Sequence, residues 1–129
     1  MDPFLEQLAG HLAFLGYQAE PNESGEVLRM SHPSRADFTM RMYLGGCLMT
    51  AWYGTRPQAL VEREAFLEAI NALNARAAVV RYYVDDEFDF AAEMLYLPPY
   101  DRVGFGSVMD LWHRDFSQMF ESGLNQYLS

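Results

Sequence analysis

From Ala36 to Leu44 the chain reads "ADFTMRMYL". Phe38, Met40, Met42 and Leu44 fall on one side, and Asp37, Thr39, Arg41 and Tyr43 on the other. Successive side chains of an extended strand point to opposite faces, so unbroken alternation marks a strand with one buried face. "EVLRMS" before it reads as a shorter strand reached through the turn "HPSR". Gly45 and Gly46 after it read as a tight hairpin into "CLMTAWYG". Strands joined by links this short pair as sequence neighbours, so residues 26–54 predict an antiparallel meander.

The apolar period lengthens on either side of the meander. At the N-terminus, Leu5, Leu8, Leu12 and Leu15 recur at helical spacing, with Asp2 placed to cap, Pro3 at the first helical position and Gly16 as a stop. "TRPQALVEREAFLEAINALNAR" returns to that period, with Phe66, Leu67, Ile70, Leu73 and Asn74 on one face and Glu62, Arg63, Glu64 and Glu68 largely opposite. "AVVRYYV" and "FDFAAEMLYL" then read as strands flanking "DDE", and Val108, Leu111, Trp112, Phe116, Met119, Phe120 and Leu124 mark a closing helix. The predicted order is α-β-β-β-α-β-β-α. That is an α+β fold with a five-stranded antiparallel sheet and its helices on one face, in a single domain over residues 1–129.

Catalytic and metal chemistry find little support. In "DDEFD", Asp85, Asp86 and Glu87 are adjacent, no glycine follows, and both flanks are strand-like. A calcium loop needs spaced oxygen ligands and a sharp glycine turn, whereas aspartates at a hairpin tip bond their own backbone. The carboxylates therefore read as turn chemistry, and no metal ligand is assigned. His11, His32 and His113 lack paired ligand spacing. Cys47, the single cysteine, sits in an apolar strand and reads as a packed thiol, with His32 the nearest candidate base. "GFGS" at 104–107 lacks the lysine of a phosphate loop and the full glycine pattern of a dinucleotide site. No catalytic residue and no cofactor are assigned.

The net charge of −9, with no basic cluster, argues against a nucleic-acid partner. The acidic start "MDPFLEQLAG" does not read as a signal peptide, and no apolar run approaches the roughly 20 residues of a membrane span. The expected setting is the cytoplasm. Large residues do occur on both faces of two strands: Leu48 and Trp52 against Met49 and Tyr53, and Val80, Tyr82 and Val84 against Val79 and Tyr83. Three helices cover one face of such a sheet, and a large apolar patch left in water calls for a partner. Trp52, Tyr53, Tyr82, Phe88 and Phe90 are the expected partner-binding residues, with strand edges offering backbone pairing to an extended peptide. Met30, Met40, Met42, Met49 and Met94 either add adaptable binding surface or fill the core.

"FLEAINALNARAAVVRYYVDD", "FDFAAEMLYLP" and "VMDLWHRDFSQMF" together carry a family pattern over roughly 60–125. Helix, asparagine-bearing helix end (Asn71, Asn74), strand, acidic turn and strand ending in Leu97-Pro98 resemble the YbjN-like proteins, a bacterial group labelled as candidate sensory transduction regulators. The element order resembles the class I type III secretion chaperone fold. These resemblances imply a non-enzymatic homodimer, chaperone-like or regulatory, that holds a segment of another protein on apolar sheet and helix surface. The competing reading is a small-molecule-binding domain or enzyme with a cleft between the sheet and the last helix, lined by Tyr82, Trp112 and His113.

Overall fold

The computed structural model describes residues 1–129. Helix α1 spans Pro3–Phe14, and four strands follow: β1 (Gln18–Pro21), β2 (Val27–Ser31), β3 (Phe38–Tyr43) and β4 (Gly46–Tyr53). Next come a short helix α2 (Pro57–Val61), helix α3 (Arg63–Arg76), strands β5 (Arg81–Val84) and β6 (Phe90–Tyr96), and the long helix α4 (Arg102–Glu121), before a single 3-10 turn at Leu124–Gln126. The sheet order is β1-β2-β3-β4-β6-β5, and each hairpin pairs antiparallel. The fold is α+β, as the periodicities indicate.

The sheet has six strands rather than five. The extra strand, Gln18-Ala19-Glu20-Pro21, is exposed along its whole length and binds β2 through backbone alone, so no hydrophobic alternation announces it. The predicted second helix is broken at Glu62, whose φ of −108° and ψ of 41° leave the helical region and separate α2 from α3. The β3–β4 turn is built by Leu44 and Gly45, with φ of 51° and 82°, while Gly46 is already the first residue of β4. Positive φ at both central residues is the twist that suits a two-residue hairpin.

Backbone contacts divide the chain into two compact units, Met1–Ala51 with Met94–Met109, and Trp52–Glu93 with Asp110–Ser129. In the first, the Asp2 carboxylate accepts the Phe4 N–H at 2.8 Å and caps α1, and Gly16 at φ 99° closes the helix. Leu5, Leu8 and Leu12 form the buried stripe of α1, and the buried strand face presents Leu28, Met30, Phe38, Met40, Cys47 and Met49. The buried methionines therefore fill the core. Burial pushes the Cys47 thiol up to about 12, which leaves no thiolate at neutral pH. The other face of these strands carries Arg29, Thr39, Arg41 and Tyr43 toward solvent.

In the second unit the buried face of β5 and β6 presents Tyr82, Phe90 and Ala92. The Tyr82 ring stacks on Phe90 at 6.0 Å, and its hydroxyl donates to the Asp115 backbone carbonyl of α4 at 3.0 Å. Trp112 and Phe116 pack ring on ring at 4.6 Å. Phe66 of α3 meets Phe88 and Tyr127 at 5.6 and 5.1 Å.

Candidate partner-binding surface

The five aromatic residues singled out in the sequence do not share a surface. Tyr82 is 3 % exposed and Phe90 0 %, so both are core side chains. Phe88 lies in the loop after the "DDE" turn and the strand begins only at Phe90, so the alternation that placed Phe88 on a strand face starts two residues later than the sequence reads. Tyr53 is half-buried against Phe90 and Phe120. Trp52 alone stands clearly out, at 50 % exposure. Trp112 is buried as well, so Tyr82 and Trp112 do not line an open cleft.

Trp52 belongs to the strand face that no helix of its unit covers. Its indole meets Tyr83 edge-on at 6.4 Å and 80°. The Tyr83 hydroxyl donates to Glu93 Oε2 at 3.0 Å, and Arg81, directly opposite Glu93 in the β5–β6 ladder, donates from Nε to Glu93 Oε1 at 2.9 Å and makes a second bond from its terminal nitrogen. Glu93 is 3 % exposed, a carboxylate taken out of water and therefore in need of these partners. The Arg81 guanidinium also lies 5.9 Å from the centre of the Tyr83 ring. Burial, followed by the hydrogen bond to Glu93, raises the Tyr83 phenol above its ordinary range. The result is a Trp–Tyr–Arg group fixed on a buried acid. Aromatic and arginine side chains held in place present contact area at little entropic cost, which is the usual composition of strong protein-binding centres.

The loop below this face is also held. Phe88 adopts φ 63°, a left-handed conformation that L side chains avoid. Its ring packs on Phe66, Arg63 sits 5.4 Å from its centre, and its carbonyl accepts Thr55 Oγ1 at 2.9 Å. The Asp85 carboxylate accepts the N–H groups of Glu87 and Asp89 at 3.0 and 2.9 Å, so this acid closes the turn as expected.

Neither edge of the sheet suits an incoming strand. On β5 and at Val80 just before it, the outward backbone groups of Tyr82 and Val80 are taken by side chains. The Asn74 side chain of α3 donates to the Tyr82 carbonyl at 2.9 Å and accepts the Tyr82 N–H at 2.8 Å, occupying both groups as a neighbouring strand would. The Val80 N–H goes to Asp115 at 2.9 Å, and the same fully buried carboxylate takes the N–H groups of Val79 and Ala78. At the other edge, β1 is four residues long and ends on Pro21, which has no N–H to give. The backbone pairing expected from exposed edges is blocked by side chains at one edge and by length and proline at the other.

Sequence patterning missed Asn74 and Asp115 as edge guards and Glu93 as an anchor. Asp115 did leave a signal, because it falls on the apolar stripe between Trp112 and Met119, where an unpaired acid would be costly.

No family model and no curated protein matches the chain. Among solved structures, the crystal structure of YbjN from E. coli, described as a candidate transcription regulator, matches with a TM-score of 0.74 at 18 % sequence identity, over 98 % of this chain and 96 % of that one. The chain thus has a YbjN-like fold. No helix is long and apolar enough to cross a membrane.

Proposed function

We propose that this chain is a non-enzymatic protein-binding module, chaperone-like or regulatory, that acts as a homodimer and holds a segment of another protein against Trp52 and its neighbours. The observation that carries this reading is the half-exposed Trp52 on an uncovered strand face, braced by Tyr83 and Arg81 over the buried Glu93 carboxylate. A large ring left in water at a fixed position costs solvation free energy that a partner recovers, on the order of 25 cal/mol per Å² of apolar area covered. The fold likeness to YbjN, described as a candidate transcription regulator, supports a regulatory or binding role. The blocked edges direct recognition to side chains of a face.

The test is a tagged pull-down from the native cell, read beside a solution mass from light scattering. The expected result is a mass of two chains and one reproducible protein partner whose capture drops about tenfold or more with Trp52→Ala, the size of loss typical of a central aromatic contact. A mass of one chain at micromolar concentration removes the homodimer, and capture indifferent to Trp52→Ala removes the assigned surface.

A further inference from the structure

A second uncovered patch lies wholly within the first unit, at the far end of the strand face opposite α1. It is organised by Gly46. A Cβ at that position would fall 2.8 Å from Leu97 Cδ2 and 3.1 Å from Leu95 Cδ1, so both leucines lie over the bare glycine. Leu95 is 40 % and Leu97 58 % exposed, and Tyr43, paired with Gly46 across the hairpin, is exposed beside them. Leu44 stands out at the hairpin tip in a left-handed conformation, φ 51°, that leucine rarely adopts. The one charged group on this patch is Arg41, whose guanidinium lies 5.0 Å from the centre of the Tyr43 ring. Arg29 pairs with Asp37 at 2.9 Å on the same face, whereas Arg41 has no carboxylate at salt-bridge distance. An arginine set over an aromatic ring and outside any ion pair keeps its planar donor edge for a second group, and carboxylate is the group that edge fits.

We propose that the Arg41–Tyr43–Leu95–Leu97 patch docks an acidic apolar segment of a partner protein, its aliphatic side chains seated on the leucines and a carboxylate on Arg41. Local charge stands here against the charge of the whole molecule. A chain of net −9 attracts basic segments at long range, so a preference for an acidic one can arise only from a site built for it.

That contrast supplies the experiment. Two fluorescent helical peptides with identical leucine spacing, one bearing glutamates and the other lysines, are titrated into the full chain and followed by anisotropy at physiological salt. The glutamate peptide is expected to bind at least about tenfold more tightly, Arg41→Glu to abolish or reverse the preference, and Leu97→Ser to weaken binding about tenfold. Phe14→Ser, which removes a still more exposed ring elsewhere in the same unit, leaves binding unchanged. The proposal is overturned if neither peptide binds up to about 1 mM. It is overturned equally if the lysine peptide binds as well or better, or if Arg41→Glu has no effect. A free-chain dimer that Leu97→Asp dissociates assigns the patch to a second copy and likewise overturns it. Because Trp52 takes no part in the patch, loss of this proposal leaves the Trp52 surface standing, and the converse also holds.

Discussion

Replacing Asp115 by alanine is the sharpest probe of how β5 is held. In the native chain its carboxylate receives the N–H of Val80 at 2.9 Å, of Val79 at 2.8 Å and of Ala78 at 3.0 Å, three consecutive donors in the link from α3 into β5. Removing it affects them unequally. Val80 is buried, so its N–H is left without water and carries a penalty of about 1–3 kcal/mol. Val79 is half-buried and loses part of that, while the exposed Ala78 recovers most of it from solvent. Arg114 also loses its bond to Asp115 at 3.0 Å, but it is partly exposed and contributes a fraction of a kcal/mol. The sum is about 2–5 kcal/mol, reaching the range seen on removing one partner of a buried charged network. For a chain of this length that lowers Tm by roughly 10–20 °C, and urea midpoints measure it directly. Asp115→Asn is expected to recover less than half, because its amide turns N–H groups toward backbone donors. The reasoning is refuted if Asp115→Ala costs less than about 1 kcal/mol, or if Asp115→Asn matches the native chain.

Asn74→Ala removes both edge bonds to Tyr82, costs about 1–3 kcal/mol and exposes a strand edge; urea unfolding measures the first effect, and faster self-association in sedimentation velocity the second. Gly46→Ala places a methyl 2.9 Å from the Tyr96 carbonyl, backbone that cannot step aside, and is expected to cost about 1–3 kcal/mol in the same urea assay. Cys47 is expected to resist a thiol reagent in native buffer near pH 8 and to react fully in denaturant, since burial holds it at about 12. Cys47 and Tyr17, both raised to about 12 from 9.0 and 10.0, stay neutral in the fold while the unfolded chain ionises. Their contribution is therefore complete below pH 9 and is lost as pH rises from there toward 12, which an alkaline unfolding curve followed by tyrosinate absorbance checks.

The legible part of the fold is the part written in side-chain period. The β3 alternation buries Phe38 and Met40, the α1 stripe Leu5, Leu8 and Leu12, and the α4 stripe Trp112, Phe116 and Met119, whereas Leu15, Leu44, Leu111 and Phe120, expected on the same stripes, stand exposed at their margins. Elements held by backbone alone left no such trace, as β1 shows. Faces were legible and their occupancy was not: Trp52 and Tyr82 read alike as large residues on strands, and only the position of α4 over Tyr82 separates a core ring from a surface one. The edge guards were hidden for a related reason. Asn74 in a helix end looks like a helix stop, and its work on Tyr82 depends on a strand eight residues later in the chain.

The closed edges bear on how a fold of this kind diversifies. Strand addition is largely indifferent to which side chains the visitor brings, since amide and carbonyl do the pairing. A chain that denies that route must choose its companions through exposed rings, aliphatics and guanidinium groups, which single substitutions can rewrite without touching the scaffold. Descendants can then keep one backbone while parting ways over whom they bind.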